Sequence, residues 1–136
     1  MRKYTDKKFY RKVVHSCKYQ VAWCSTKQRD ILKDGVEVRL KQIIENLINE
    51  LPEHPAEIIK LDILPEQVHL KVAVNPQYGI DRLVRHLKRQ SSSILKNEFA
   101  QVKSRVPSPW TSSYYVCTLD SSTPGAIEEY IKSQKK

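Results

Sequence analysis

The chain has 136 residues, with 24 Lys and Arg against 15 Asp and Glu, for a formal net charge of +9. That length supports one domain, residues 1–136, with a real core, and the basic excess favours a polyanionic partner, of which nucleic acid is the commonest. No apolar run reaches the length of a membrane span and no secretory signal opens the chain, while Cys17, Cys24 and Cys117 are odd in number and lack a CxxC pair, so a cytoplasmic protein with reduced, mostly buried thiols is expected.

In chain order, residues 1–12 (MRKYTDKKFYRK) form a basic leader in which Tyr4, Phe9 and Tyr10 alternate with cations. Such rings stack on unpaired bases while Lys and Arg hold phosphate. Val13 to Cys24 reads as a strand, and STKQRDIL after it as a basic turn containing Lys27 and Arg29. Leu40, Ile43, Ile44, Leu47, Ile48 and Leu51 recur at helical spacing, so a helix is predicted over about Asp34 to Leu51, ended by Pro52 and Pro55. A second strand is predicted over Ala56 to Ile63.

The stretch PEQVHLKVAV, from Pro65 to Val74, then alternates with period two. Val68, Leu70, Val72 and Val74 take one face, and Gln67, His69, Lys71 and Ala73 the other, with Glu66 expected to point away from Gln67 and His69. A second helix begins near Ile80, with Ile80, Leu83, Val84, Leu87, Ile94 and Leu95 on one stripe and Arg82, Arg85, Lys88 and Arg89 opposite. Ser113 to Leu119 is predicted as the fourth strand. Residues 122–136 form a last helix, with Thr123 as N-cap and Pro124 at its first position.

The resulting order, β-α-β-β-α-β plus a terminal helix, is the ferredoxin-like split βαβ pattern of the α+β class: an antiparallel sheet with helices on one face. Two short patterns in it carry chemistry. Gln67 and His69 project in parallel from one strand and are able to share a divalent cation, although such a lone pair is more often plain polar surface or satisfied core. Tyr130 and Gln134 lie i, i+4 on the last helix. A phenolic oxygen can attack a phosphodiester when a metal polarises the phosphate, and the glutamine one turn later can reach the same cation.

From about His15 to Gln134 the sequence resembles the TnpA-type single-tyrosine HUH transposases of the insertion-sequence 200/605 group. The matching blocks are YQVAWCSTKQRDIL, PEQVHLKVAV, LKRQSSSIL, WTSSYYVCTL and YIKSQ, in that order. The resemblance implies that Tyr130 is the nucleophile, attacking single-stranded DNA near element-end hairpins to give a 5′-phosphotyrosine link and a free 3′-hydroxyl. It implies that His69 and Gln134 are metal ligands for Mg2+ or Mn2+, and that a homodimer shares its active sites by lending the Tyr130 helix to the partner's metal pair. Action would be on the DNA of a prokaryotic cell.

This chain departs from the pattern at the first histidine, where it has Gln67, with Glu66 in place of the usual Asp before it. A glutamine oxygen is a neutral, hard donor suited to Mg2+ or Mn2+, so QVH is either a working variant or the mark of a non-catalytic DNA-binding relic. Lys27, Arg29, Arg85, Lys88 and Arg89 are the candidate phosphate contacts. An RNA-binding module of the same fold is disfavoured, because the central strand PEQVHLKVAV lacks the stacking rings such modules carry.

Overall fold

The computed structural model describes residues 8–10, 13–15, 17–105, 108–119 and 126–134. The chain begins with a ribbon in which β1 (Lys8–Tyr10) pairs antiparallel with β2 (Val13–His15). The expected single strand from Val13 to Cys24 is therefore two, since β3 (Lys18–Cys24) starts afresh and joins the main sheet. After a short 3-10 turn at Thr26–Gln28 come α1 (Val36–Asn49), β4 (Ala56–Leu64), β5 (Gln67–Val74) and α2 (Ile80–Glu98). A further helix absent from the sequence reading, α3 (Ala100–Arg105), precedes β6 (Tyr115–Thr118) and α4 (Ala126–Ser133). The predicted caps Thr123 and Pro124, and most of the basic leader, lie outside the described residues.

The main sheet has the order β4-β5-β3-β6 with every pair antiparallel. This is the ferredoxin-like arrangement that the element order predicted. The period-two pattern decides its faces. Val21 and Trp23 of β3 sit opposite Leu70 and Val68 of β5, and all four are fully buried beneath α1 and α2 with Leu40, Ile44, Leu83 and Leu87. The apolar stripes of the two helices face this layer because nothing else can take them out of water. At the start of α2, Asn75 Oδ1 accepts the backbone N–H of Gln77 at 2.6 Å, and Gly79 takes φ 93°, which a side chain would resist.

The other face holds the polar row. Cross-strand register aligns Leu64, Gln67 and Cys24, and beside them Asp62, His69, Ala22 and Tyr115. Ala22 and Cys24 are nevertheless fully buried. The α4 helix accounts for this, since it packs against β3 and sets the Tyr130 ring 5.9 Å from that of Tyr115. Two helices cover one face, and the tyrosine helix lies on the other. No helix among the described residues is long and apolar enough to cross a membrane.

Candidate active site

Two donors come from β5. The alternation that buries Val68 and Leu70 turns Gln67 and His69 to the opposite face, where Gln67 Oε1 and His69 Nε2 lie 2.8 Å apart. Burial pushes the His69 imidazole below its ordinary range, against an upward pull from Asp62 and Glu128. The ring is thus neutral near pH 7; as placed its Nε2–H donates to the Gln67 oxygen, and moving that proton to Nδ1 would free the Nε2 lone pair for a cation. The Glu128 influence also shows that α4 reaches the His69 row. Glu66, expected to face away, lies at the turn before β5, and its charge helps raise the buried Cys24 thiol on the same face.

The other two come from α4. The i, i+4 spacing puts Tyr130 and Gln134 on one side of the helix, and both meet Ser113, in the segment leading into β6. Ser113 Oγ is 3.1 Å from the Tyr130 hydroxyl and donates to Gln134 Oε1 at 3.0 Å. A serine has one hydroxyl proton. With that proton on Gln134 the neutral Tyr130 O–H is the donor to Ser113, whereas an ionised Tyr130 would take the Ser113 proton for itself. Burial raises the Tyr130 phenol above its ordinary value, the Ser113 hydrogen bond lowers it, and Cys24, across from Gln67, raises it. Left to these surroundings the phenol keeps its proton, and a positive charge beside it is what would make it a nucleophile. The helix is held in place by Gln28, whose Nε2 donates to Ile131 O at 2.5 Å.

Among the described residues no three His, Cys, Asp or Glu side chains gather where they would hold an ion. A cation here therefore relies on amide oxygens and one imidazole. The donor set fits a hard divalent ion: neighbouring ligands of an octahedral Mg2+ stand about 3 Å apart, close to the Gln67–His69 separation. All three expected donors share the sheet face on which α4 lies.

The five basic candidates separate. Lys27 and Arg29 are exposed in the turn after β3. Arg85 and Arg89 are exposed on α2 and, together with Lys88, line a groove of about 580 Å³ with Trp110, Thr111 and Tyr114. Arg85 also pairs with Asp81 at 2.8 Å. Lys88, half-buried at the groove wall, differs in that its Nζ donates to the carbonyls of Thr111 at 2.7 Å and Ser113 at 2.8 Å. Helical periodicity had placed it with the arginines. The overlooked signal is its spacing from Val84, Ser91 and Leu95, all buried, which puts Lys88 on the seam of the apolar stripe. Two residues central to the site were missed outright: Ser113 and Gln28 meet α4 only through the fold. Of the cysteines, Cys24 is buried, while Cys17 and Cys117 are half-buried.

Burial, helped by Arg85, lowers the Lys88 ammonium to about 8, against an upward pull from Cys24. The unfolded chain holds this proton to about 10.5, so between those values the unfolded state binds more protons and folding gains stability as pH rises. In urea unfolding, the stability of wild type relative to Lys88→Met is expected to climb across that window. A flat difference would mean that Lys88 titrates as in water.

Comparison with known proteins identifies the family and the fold. The family model described as "Transposase IS200 like" matches residues 13–134. The ISDra2 transposase TnpA of Deinococcus radiodurans is 28% identical over 123 residues, spanning 89% of this chain and 86% of the relative. The crystal structure of a candidate transposase from D. radiodurans R1 superposes with a TM-score of 0.78 at 26% identity, covering 98% of this chain and 95% of that one. The fold is shared as well by a REP-associated tyrosine transposase bound to a REP hairpin, with a TM-score of 0.57 at 13% identity, covering 100% of this chain and 76% of that one. With the family pattern running through nearly its whole length and the fold reproduced around it, the chain belongs to the IS200-like transposase family.

Proposed function

We propose that the protein cleaves and rejoins single-stranded DNA at the hairpin ends of a mobile element, with Tyr130 as the nucleophile. The observation that carries this reading is the joint anchoring of Tyr130 and Gln134 on Ser113, on the sheet face that presents Gln67 and His69. In the reaction, the Tyr130 oxygen bonds to the scissile phosphorus and gives up its proton to solvent. The phosphorus–O3′ bond breaks, and the departing oxygen takes a proton to become a free 3′-hydroxyl. The DNA is left as a 5′-phosphotyrosine ester, which a second 3′-hydroxyl can attack with no external energy source. Gln67, His69 and Gln134 would hold Mg2+ or Mn2+, which when bound polarises the phosphate and favours the ionised phenol. Tyr115 packs beside the Tyr130 ring, with ring centres 5.9 Å apart.

Arg85 and Arg89, with Lys27 and Arg29, are proposed to hold the DNA backbone, so affinity for a hairpin should fall steeply with salt. A hairpin ligand is in keeping with the fold relative that carries one. The resemblance also implies a homodimer. In a single chain α4 already lies on its own sheet, which would give each subunit the parts of a site.

Gln67 supports a second reading, a DNA-binding relic. Labelled single-stranded DNA with an end hairpin, incubated with Mn2+, distinguishes the two. A covalent adduct in wild type that disappears in Tyr130→Phe supports the transferase. Absence of an adduct in wild type with its appearance in Gln67→His would establish the relic.

A further inference from the structure

Three points on α2 grip the segment that leads into β6. Trp110 Nε1 donates to the buried Ser91 Oγ at 3.0 Å, Lys88 Nζ bridges the carbonyls of Thr111 and Ser113, and Tyr114 Oη donates to Asp81 at 2.5 Å. The same ammonium lies 6.0 Å from the Tyr114 ring centre. Ser113 is the end of this chain of contacts that faces the site, since its Oγ is in reach of both Tyr130 and Gln134. A half-buried cation spent on two carbonyls is badly placed for phosphate: turning outward would leave both carbonyls without their donor. Lysine suits the task, because three donors on one nitrogen can serve two acceptors.

We propose that Ser113 is a positioning residue for the Tyr130 hydroxyl and the Gln134 amide, and that Lys88 anchors Ser113 instead of contacting DNA. This rests on Tyr130 being the nucleophile and adds how it is aimed. Ser113 fixes the distance between the attacking oxygen and the third metal donor, and Lys88 transmits the rigidity of a 19-residue helix to that serine. A misplacement of about 1 Å at a reacting group can cost about 100-fold in rate, so loosening the segment should be felt in the chemical step and not in binding.

The experiment measures two quantities on the full chain with a single-stranded hairpin DNA and Mn2+: the rate of adduct formation at saturating DNA, and the slope of log affinity against log salt. Ser113→Ala and Lys88→Met are expected to slow the adduct about 10-fold or more, with the salt slope unchanged and Ser113→Thr recovering most of the rate. Arg89→Met, by contrast, is expected to reduce the slope by about 0.7 to 0.9, the signature of one lost phosphate contact. A similar reduction in Lys88→Met, or a wild-type rate in Ser113→Ala, overturns the proposal. Should Lys88→Met fail to fold by circular dichroism, the two Ser113 variants decide.

A wild type that makes no adduct would count against the nucleophile and not against the positioning. For that case, spectra of ring-labelled tyrosine, with Tyr130→Phe assigning the signal, read the geometry directly. A Tyr130 resonance that shifts in Ser113→Ala upholds the positioning, and one that stays in place overturns it.

Discussion

His69→Ala is expected to slow adduct formation by at least about 100-fold, beyond the 10–100-fold typical of losing a residue that merely supports a metal ligand. His69 supplies the one nitrogen among the proposed donors, and burial favours its neutral form, the one that can coordinate. Without it two amide oxygens remain, and neither carries charge. The complementary change is Gln67→His. It puts a second imidazole on the same strand face two residues from His69, and should tighten Mn2+ binding about 10-fold or more, as an imidazole is the better donor to a transition metal. Titration of Mn2+ by electron paramagnetic resonance checks both variants apart from any DNA chemistry. Equal Mn2+ affinity in wild type, His69→Ala and Gln67→His would show that this strand holds no ion.

The largest effect on stability is expected at Trp23. Its side chain is fully buried in β3, a central strand, and meets Trp110 edge to face with ring centres 6.0 Å apart. Trp23→Ala should cost about 3–5 kcal/mol, because a core packed between the sheet and its two helices collapses poorly around so large a void. For a chain of this size the midpoint of thermal unfolding should fall by roughly 10–20 °C. Trp23 Nε1 is buried with no hydrogen-bond partner among the described residues, so Trp23→Phe removes an unpaired donor along with its volume and should lose much less. Urea unfolding of the two variants gives the comparison. Equal losses would contradict this account, since they would mean that neither the retained ring nor the removal of the orphaned donor offsets the cost.

The faces of the sheet were legible because strand periodicity leaves little choice. Once Val68, Leu70, Val72 and Val74 must be dry, Gln67 and His69 have to point the other way. The apolar spacing of α1 and α2 was equally binding, and with the strands in that order few topologies remained. The hairpin of β1 and β2 was hidden because the run from Val13 to Cys24 is rich in strand-forming residues and carries no Gly or Pro to mark the break. Lys88 shows a different limit. Periodicity places a side chain on a helix, but whether a seam lysine faces water or two carbonyls depends on a segment more than 20 residues away. The same holds for Ser113 and Gln28, whose contacts with α4 span 17 to 103 positions. The resemblance gave Tyr130 and Gln134 their roles, and the fold supplied the serine they share.

The most direct test digests the protein after reaction with hairpin-bearing single-stranded DNA and Mn2+, then locates the attached nucleotide by mass spectrometry. A 5′-phosphate ester on the peptide containing residue 130, at the tyrosine itself, is the predicted result. Attachment at the neighbouring Tyr115, or at Ser113, would contradict the account, as would a digest with no modified peptide from protein that had visibly cut its substrate.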